Sequence, residues 1–419
     1  MKKIYMWIIT ATIVVLAAGG AIYGYIYKTA NLYNDTFYPH VTVEGQDLTN
    51  KTKEEATKLL AAVTAKHDLI KVNVKVGNQT FTTSLKNIGV QYDTKQKMDQ
   101  AYSFGKNEGL LARYKLAKEK KGKEYHLTYT INENLLNKWV GNIEQKMKKA
   151  PQNASISIRN GFVSIKDDTK GYQINQDQLR QDLSAALQKN NKEDITVAAQ
   201  LQQVPAKITK ETLTTVHNVI GSFTTNYTTG AKELNRNTNI KIAAETIDSY
   251  LLMPGESFSF NDFVGDTTAD KGYKAAGTYE GGKVVESYGG GVCQVSTTLY
   301  NAIIKAGIIP NKRYNHSMTV GYVPVGQDAA IAFPYKDLEF SNPYPFPVYI
   351  EGVVGPGTLT FKVYSSAKAK PANVDYRLDS SIVSKTPDHT QSVTYLETLK
   401  NGKMIERKVI NRDHYLAHK

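Results

Sequence analysis

The sequence predicts an α+β chain in three parts: a single apolar helix of membrane-spanning length, a duplicated α+β module, and a β-rich domain carrying the only cysteine. Three observations predict it. Residues 4–27 hold no charged side chain. Residues 41–204 run twice through a helix-like and then a strand-like periodicity. Residues 217–366 are richer in Gly, Tyr and Pro, alternate over short runs, and contain Cys293, the one cysteine among 419 residues.

The apolar run follows Lys2-Lys3 and matches in length what a bilayer core requires of a helix. Lysines before it and a long folded region after it predict a cytoplasmic N-terminus and an extracellular bulk. Tyr5, Trp7, Tyr23, Tyr25 and Tyr27 sit at its ends, where interfacial aromatics collect. The small residues Ala17-Ala18-Gly19-Gly20-Ala21 offer a signal-peptidase site, but the run continues past them, so an uncleaved single-pass anchor in the cell membrane is expected. The formal net charge of +13 fits an anionic partner outside the cell, such as a wall polymer, and no motif supports nucleic-acid binding. The densest basic cluster, with Lys115, Lys118, Lys120, Lys121 and Lys123, reads as a solvated helix end or loop.

In the first cycle Thr52-Lys53-Glu54-Glu55 is a capping box opening a helix with Ala56, Leu59, Leu60 and Val63 on its apolar side. Residues 70–76 alternate as a strand, and Asn78 marks a turn. In the second, Leu135, Trp139 and Ile143 mark a helix, and residues 154–158 and 162–165 form a hairpin around Asn160-Gly161. A helix over 178–189 and a strand over 195–197 follow. Beyond a boundary near 204–216, a helix is expected over 240–252, then a turn at 254–256 into a strand. Further strands are expected over 318–323, 329–333, 338–340, 348–354 and 359–364. The tail offers a hairpin, 392–399 with 404–410, around Asn401-Gly402.

Cys293 follows Gly289-Gly290-Gly291-Val292 and precedes an apolar repeat, Val295, Leu299, Ala302, Ile303 and Ala306, which is one face of a helix. A cysteine at a helix start is stabilised as thiolate by unpaired N–H groups and the helix dipole. With no second cysteine an internal disulfide is excluded, which leaves a nucleophile, a small buried hydrophobe or, third, a redox-sensing or intermolecularly paired thiol. A thiol nucleophile needs a base and an orienting group. Of the eight histidines, His316 is the one inside the cysteine domain proper. Asp337 and Asp328 are the candidate orienting acids, though either could be a turn residue and a backbone carbonyl could serve instead. No His/Cys/Asp cluster has metal-ligand spacing, so no metal and no cofactor is expected.

Five segments together resemble the VanW family: Gly221-Ser222-Phe223-Thr224-Thr225, residues 254–261, residues 289–301, Asn315-His316-Ser317 and residues 337–342. The first half is similar to the peptidoglycan-binding module that often precedes such domains, in residues 43–49 and 102–107. The resemblance implies domains at 1–30 (cytoplasmic stub and anchor), 31–125 and 126–210 (two α+β modules of wall-binding type), 211–368 (VanW-like catalytic domain) and 369–419 (β-hairpin extension). It also implies L,D-transpeptidase-type acyl transfer on peptidoglycan stem peptides through a Cys293 thioester. His316 is then the base and acid, and Asp337, or else Asp328, orients it. Gly291, Val292 and Gln294 would supply oxyanion donors, with Ser296, Thr297 and Asn261 as substrate contacts. The chain departs from YkuD-type transpeptidases: Gly291-Val292 stands where a His-Gly step would precede the cysteine. Two rivals follow from the same residues, a non-catalytic wall-binding scaffold and a cysteine L,D-carboxypeptidase.

Overall fold

The computed structural model describes residues 1–119, 122–159, 161–189, 192–280 and 283–417, so Lys120, Lys121 and Asn160 lie outside the described residues. The chain divides into two compact units, one of Met1–Ala150 with Lys170–Val204, the other of Pro151–Thr169 with Pro205–Lys419.

In the first unit, helix Lys2–Ala30 is long and apolar enough to cross a membrane. Its hydroxyls at Thr10 and Thr12 turn back onto the carbonyls of Met6 and Ile8 at 2.7 and 2.8 Å, as a polar group in an apolar helix must. The capping box is present: Glu55 accepts from the Thr52 N–H at 2.8 Å and its own N–H donates to Thr52 Oγ1. Helix Lys53–Asp68 leads into the hairpin Lys71–Val76 and Gln79–Ser84, whose alternation buries Val72, Val74 and Val76. Ile195–Ala199 then joins the same sheet, parallel to Lys71–Val76. The two expected modules, 31–125 and 126–210, therefore share one sheet and one core. Periodicity marks a strand but does not name its partner. Residues 151–169, with the expected hairpin Ser155–Arg159 and Phe162–Lys166, group with the second unit. Helix Glu133–Met147 forms as expected but buries Leu136, Val140 and Ile143, and Leu135 is exposed.

The second unit is built on an antiparallel sheet ordered Asn218–Asn226, Thr358–Ser365, Val348–Gly355, Tyr250–Leu252. Helices Leu234–Ile247 and Val292–Lys305 pack on it through Ile240, Ala243, Ile247, Val295, Leu299 and Ile303 against Phe361 and Val363. The expected 240–252 helix thus starts earlier and ends before a strand. Val292–Lys305 is more than amphipathic: its polar residues Gln294, Ser296, Thr297, Thr298 and Asn301 are buried as well. Residues 318–323 and 329–333, expected as strands, are loops with isolated bridges at Met318 and Ala332. Backbone groups over 327–331 are bonded by side chains of that helix instead of by a neighbouring strand. The tail is a three-stranded sheet, Val374–Lys385, His389–Lys400 and Lys403–Leu416, longer than the expected hairpin. Asn401 and Gly402 both have positive φ, the geometry of a two-residue hairpin turn. The first of its strands is not among the expected ones, although Val374, Tyr376 and Leu378 alternate with Asp375, Arg377 and Asp379.

Strand Asn218–Asn226 is bulged at Gly221, and its backbone lies directly on the end of the cysteine helix. A Cβ there would sit 2.4 Å from the Ala306 nitrogen and 2.5 Å from the Ala302 oxygen. Gly221→Ala is expected to destabilise its unit by about 1–3 kcal/mol through backbone displacement. Gly141→Ala, in open space on helix Glu133–Met147, should stabilise by about 0.4–1 kcal/mol. Denaturant melts of the two variants, read for opposite signs, check this.

Candidate active site

The glycine run begins the site. Gly291 caps helix Val292–Lys305 with φ 102°, a left-handed conformation that glycine adopts without strain. Gly290 passes so close to the hairpin strand Ala275–Glu280 that a Cβ would meet the Ala276 oxygen at 2.5 Å. Buried Asn239 pins the run, donating to the carbonyls of Gly290 at 3.0 Å and Lys274 at 2.9 Å and accepting from the Lys274 N–H at 2.7 Å. Cys293 is thereby fixed on the first turn of the helix, half-buried, with Sγ 3.4 Å from the Ile331 oxygen.

His316 reaches the thiol from the loop after this helix. The imidazole is buried, its Nδ1 lies 2.6 Å from Asp328 Oδ2, and its side chain shares a hydrogen bond with Cys293. The same carboxylate oxygen accepts the His316 backbone N–H at 2.7 Å. Of the two candidate acids it is Asp328 that holds the His316 ring, while Asp337 lies elsewhere and braces a loop. The Asp337 carboxylate accepts from the backbone N–H groups of Asn261 and Leu338 and from Ser259 Oγ, at 2.9, 2.8 and 2.6 Å. The two aspartates sit in similar polar sequence surroundings, and only the fold separates them.

The side chains of Gln294 and of the expected substrate contacts Ser296, Thr297 and Asn261 bond within the protein. Gln294 is buried, with its amide bonded to Thr225 Oγ1 and the Asn226 oxygen and its carbonyl accepting from Arg236 at 2.7 Å. Ser296 Oγ donates to the Ala329 oxygen at 2.6 Å, and Thr297 Oγ1 accepts the Ala329 N–H at 3.0 Å. Asn261 Nδ2 holds the Lys336 oxygen. Ser296 and Thr297 thereby position the loop bearing Asp328. Of the expected backbone donors, Val292 N–H and Gln294 N–H close turns onto Gly289 and Gly291 at 3.0 Å. The Cys293 N–H has no backbone acceptor among the described residues.

Electrostatics follow from this packing. Burial alone pushes the Cys293 thiol up, but the hydrogen bond and charge of His316 outweigh it, so its pKa falls below the ordinary thiol value. Burial would lower the His316 pKa, yet the bonds to Asp328 and Cys293 raise it to about 9. Asp328, although buried, is held down to about 2 by the His316 bond and the Arg313 guanidinium. The arrangement favours a thiolate–imidazolium pair at neutral pH. It opens into a cleft of about 1020 Å³ lined by the hairpin Ala275–Glu280 and Lys283–Tyr288, by loops 265–269 and 316–322, and by Phe333. Arg236, Lys336 and Tyr322 also face it. Burial and the Cys293 charge hold the Tyr322 hydroxyl well above its usual range. Sequence reasoning missed these three and the hairpin. Arg313 carried a usable signal, since a charged residue close to a buried histidine calls for an acid nearby.

Residues 235–364 match the family described as VanW like protein, and residues 81–196 match a peptidoglycan binding domain family. Over 230 residues the chain is 33% identical to the uncharacterized protein YoaR of Bacillus subtilis (strain 168), covering 55% of this chain and 74% of that protein. Over 109 residues it is 33% identical to the vancomycin B-type resistance protein VanW of Enterococcus faecalis (strain ATCC 700802 / V583), covering 25% of this chain and 40% of that one. No solved structure matches the chain. With a VanW-like segment spanning Cys293, His316 and Asp328, and a peptidoglycan-binding segment before it, the chain belongs to the VanW family.

Proposed function

We propose that the protein is a membrane-anchored cell-wall acyltransferase of L,D-transpeptidase type, working on peptidoglycan stem peptides. The observation that carries this reading is the line Cys293–His316–Asp328 on the floor of an open cleft. A cysteine that only filled a core would have no need of a buried imidazole held by a buried carboxylate, a costly arrangement to desolvate. Helix Lys2–Ala30 serves as the single-pass anchor, N-terminus inside, and the +13 net charge favours a wall rich in anionic polymer.

In the first step the Cys293 thiolate adds to the carbonyl carbon of the third stem residue. The developing oxyanion is received by the Cys293 N–H at the helix start. His316 gives its proton to the departing nitrogen, D-alanine leaves, and a thioester remains. An amine from a second stem then attacks the thioester, His316 takes its proton, and the thiolate is released. The product is a link between two third residues. Water in place of the amine would make the same site a carboxypeptidase, and neither step requires a metal or cofactor.

The deciding experiment incubates the purified protein with disaccharide-tetrapeptide and reads products by mass spectrometry. D-alanine loss with dimers joined at third residues is expected, and Cys293→Ala should abolish both. Tripeptide monomer alone would replace transfer with hydrolysis, and no product from a folded, wall-bound protein would leave the scaffold reading. For the folded variants, Asp328→Asn should lower kcat by about two to four orders of magnitude, whereas Asp337→Asn should lower melting temperature and leave the pH profile in place. The kcat/KM profile should be bell-shaped. Its acid limb lies below an ordinary thiol pKa, because Cys293 must lose its proton. Its alkaline limb lies at about 9, because His316 must keep its own.

A further inference from the structure

The VanW-like match ends at residue 364, but the charge system behind His316 does not. Strand Lys403–Leu416 places Asp413 and Tyr415 two residues apart, on one face. The buried Tyr415 hydroxyl donates to Asp328 Oδ1 at 2.6 Å and accepts the Gly326 N–H at 3.1 Å. Arg313 is buried between two carboxylates: its Nη1 lies 2.6 Å from Asp413 Oδ1, its Nη2 3.0 Å from Asp328 Oδ1, and its Nε donates to the Asp328 carbonyl at 2.6 Å. The strand also grips the loop that bears His316, since the Leu416 N–H donates to the Ser317 oxygen at 2.7 Å and Asn315 Nδ2 to the His414 oxygen at 2.9 Å.

We infer that the C-terminal sheet is a working part of the catalytic centre, with Asp413, acting through Arg313, and Tyr415 as positioning residues that set the charge on His316. The inference rests on the proposed role of the Cys293–His316 pair. Its argument is a charge count. Asp328 and Asp413 contribute two negative charges and Arg313 one positive, all nearly excluded from water. Behind the thiol, a protonated His316 makes this cluster neutral, and the Cys293 thiolate stands in front of it as a further negative charge. Without the Asp413 charge, Arg313 alone would neutralise Asp328, and the imidazolium would keep only the thiolate as its unneutralised partner. A buried ionic cluster contributes little stability over well-packed apolar residues, so a merely structural strand gains nothing from this composition. The other groups facing His316 are Cys293 and Tyr322 in the cleft and, on its walls, Lys336 and Arg236, none of which supplies the second negative charge behind the ring.

The test uses the full chain and the pH dependence of iodoacetamide alkylation, which in a protein with one cysteine reads Cys293 alone and needs no substrate. The rate should rise once as the thiolate forms and again as His316 loses its proton. Asp413→Asn should move the second step down by about one pH unit. Tyr415→Phe keeps the ring and removes a donor that shares the Asp328 charge, so it should move the step upward. It should also lower kcat on tetrapeptide with KM within about twofold. If both variants only lower the melting temperature and the second step stays at the wild-type pH, the strand is structural and the inference is overturned. Should Asp413→Asn fail to fold, the direction of the Tyr415→Phe shift decides. Shifts as expected in a wild type that turns over no tetrapeptide would sink the transpeptidase reading while leaving this coupling standing.

Discussion

The structure of the second unit depends on burying a helix whose one face is polar. Val292–Lys305 runs through the middle of the domain, so Gln294, Ser296, Thr297, Thr298 and Asn301 are shut away from water. Each must then find partners or cost a kilocalorie or more, about 1–3 kcal/mol for a neutral group. The partners are backbone groups of 327–331 on one side and of strand Asn218–Asn226 on the other. Loop 327–331 therefore has no freedom to pair as a strand. Its conformation is dictated by hydroxyls and amides of the helix, and Asp328 is carried in at a fixed place. From there the order is forced: Asp328 takes the His316 ring and backbone together, and His316 meets the thiol.

The same packing decides which charges can exist. Burial opposes a thiolate, an imidazolium and a carboxylate alike; the two anions are tolerated because the imidazolium lies between them, and the imidazolium because both anions flank it. The helix N-terminus adds a positive partial charge at Cys293, and it is available there because the glycine run turns sharply enough to leave the Cys293 N–H without a backbone acceptor among the described residues. Any Cβ at Gly290 would collide with the strand behind it. Glycine is a steric requirement there, and the tight turn it permits is what exposes the nucleophile.

Much of this was legible in residue order. The cysteine helix, the capping box at Thr52 and the Asn401-Gly402 turn all follow from local chemistry, where a few neighbouring residues suffice. The failures share one cause. Asp328 and Asp337 are indistinguishable without knowing what surrounds them. The hydrophilic residues Ser296 and Thr297 read as substrate contacts because sequence alone does not reveal that the polar face of a helix is buried. The partner of Ile195–Ala199 lies more than a hundred residues upstream, and no periodicity states it. Hairpin Ala275–Glu280 and Lys283–Tyr288, a wall of the cleft, carries mixed polar residues and gave no alternation to read.

A site built this way has its rigid part and its open part on opposite sides. Behind the thiol lie the buried helix, the braced loop and the charged cluster, all fixed by packing, so Cys293 and His316 have little conformational freedom left to lose. In front lies a cleft walled by one two-stranded hairpin and loops, with Arg236, Lys336 and exposed Phe333 along it. A small metabolite would be poorly enclosed by such a cleft. A segment of a polymer, whose remainder must stay outside, would fit without any need for closure. The burden of orientation then falls on the back of the site, where Ser296, Thr297 and Asn301 hold the loop that carries Asp328 while Gln294 and Thr298 hold strand Asn218–Asn226.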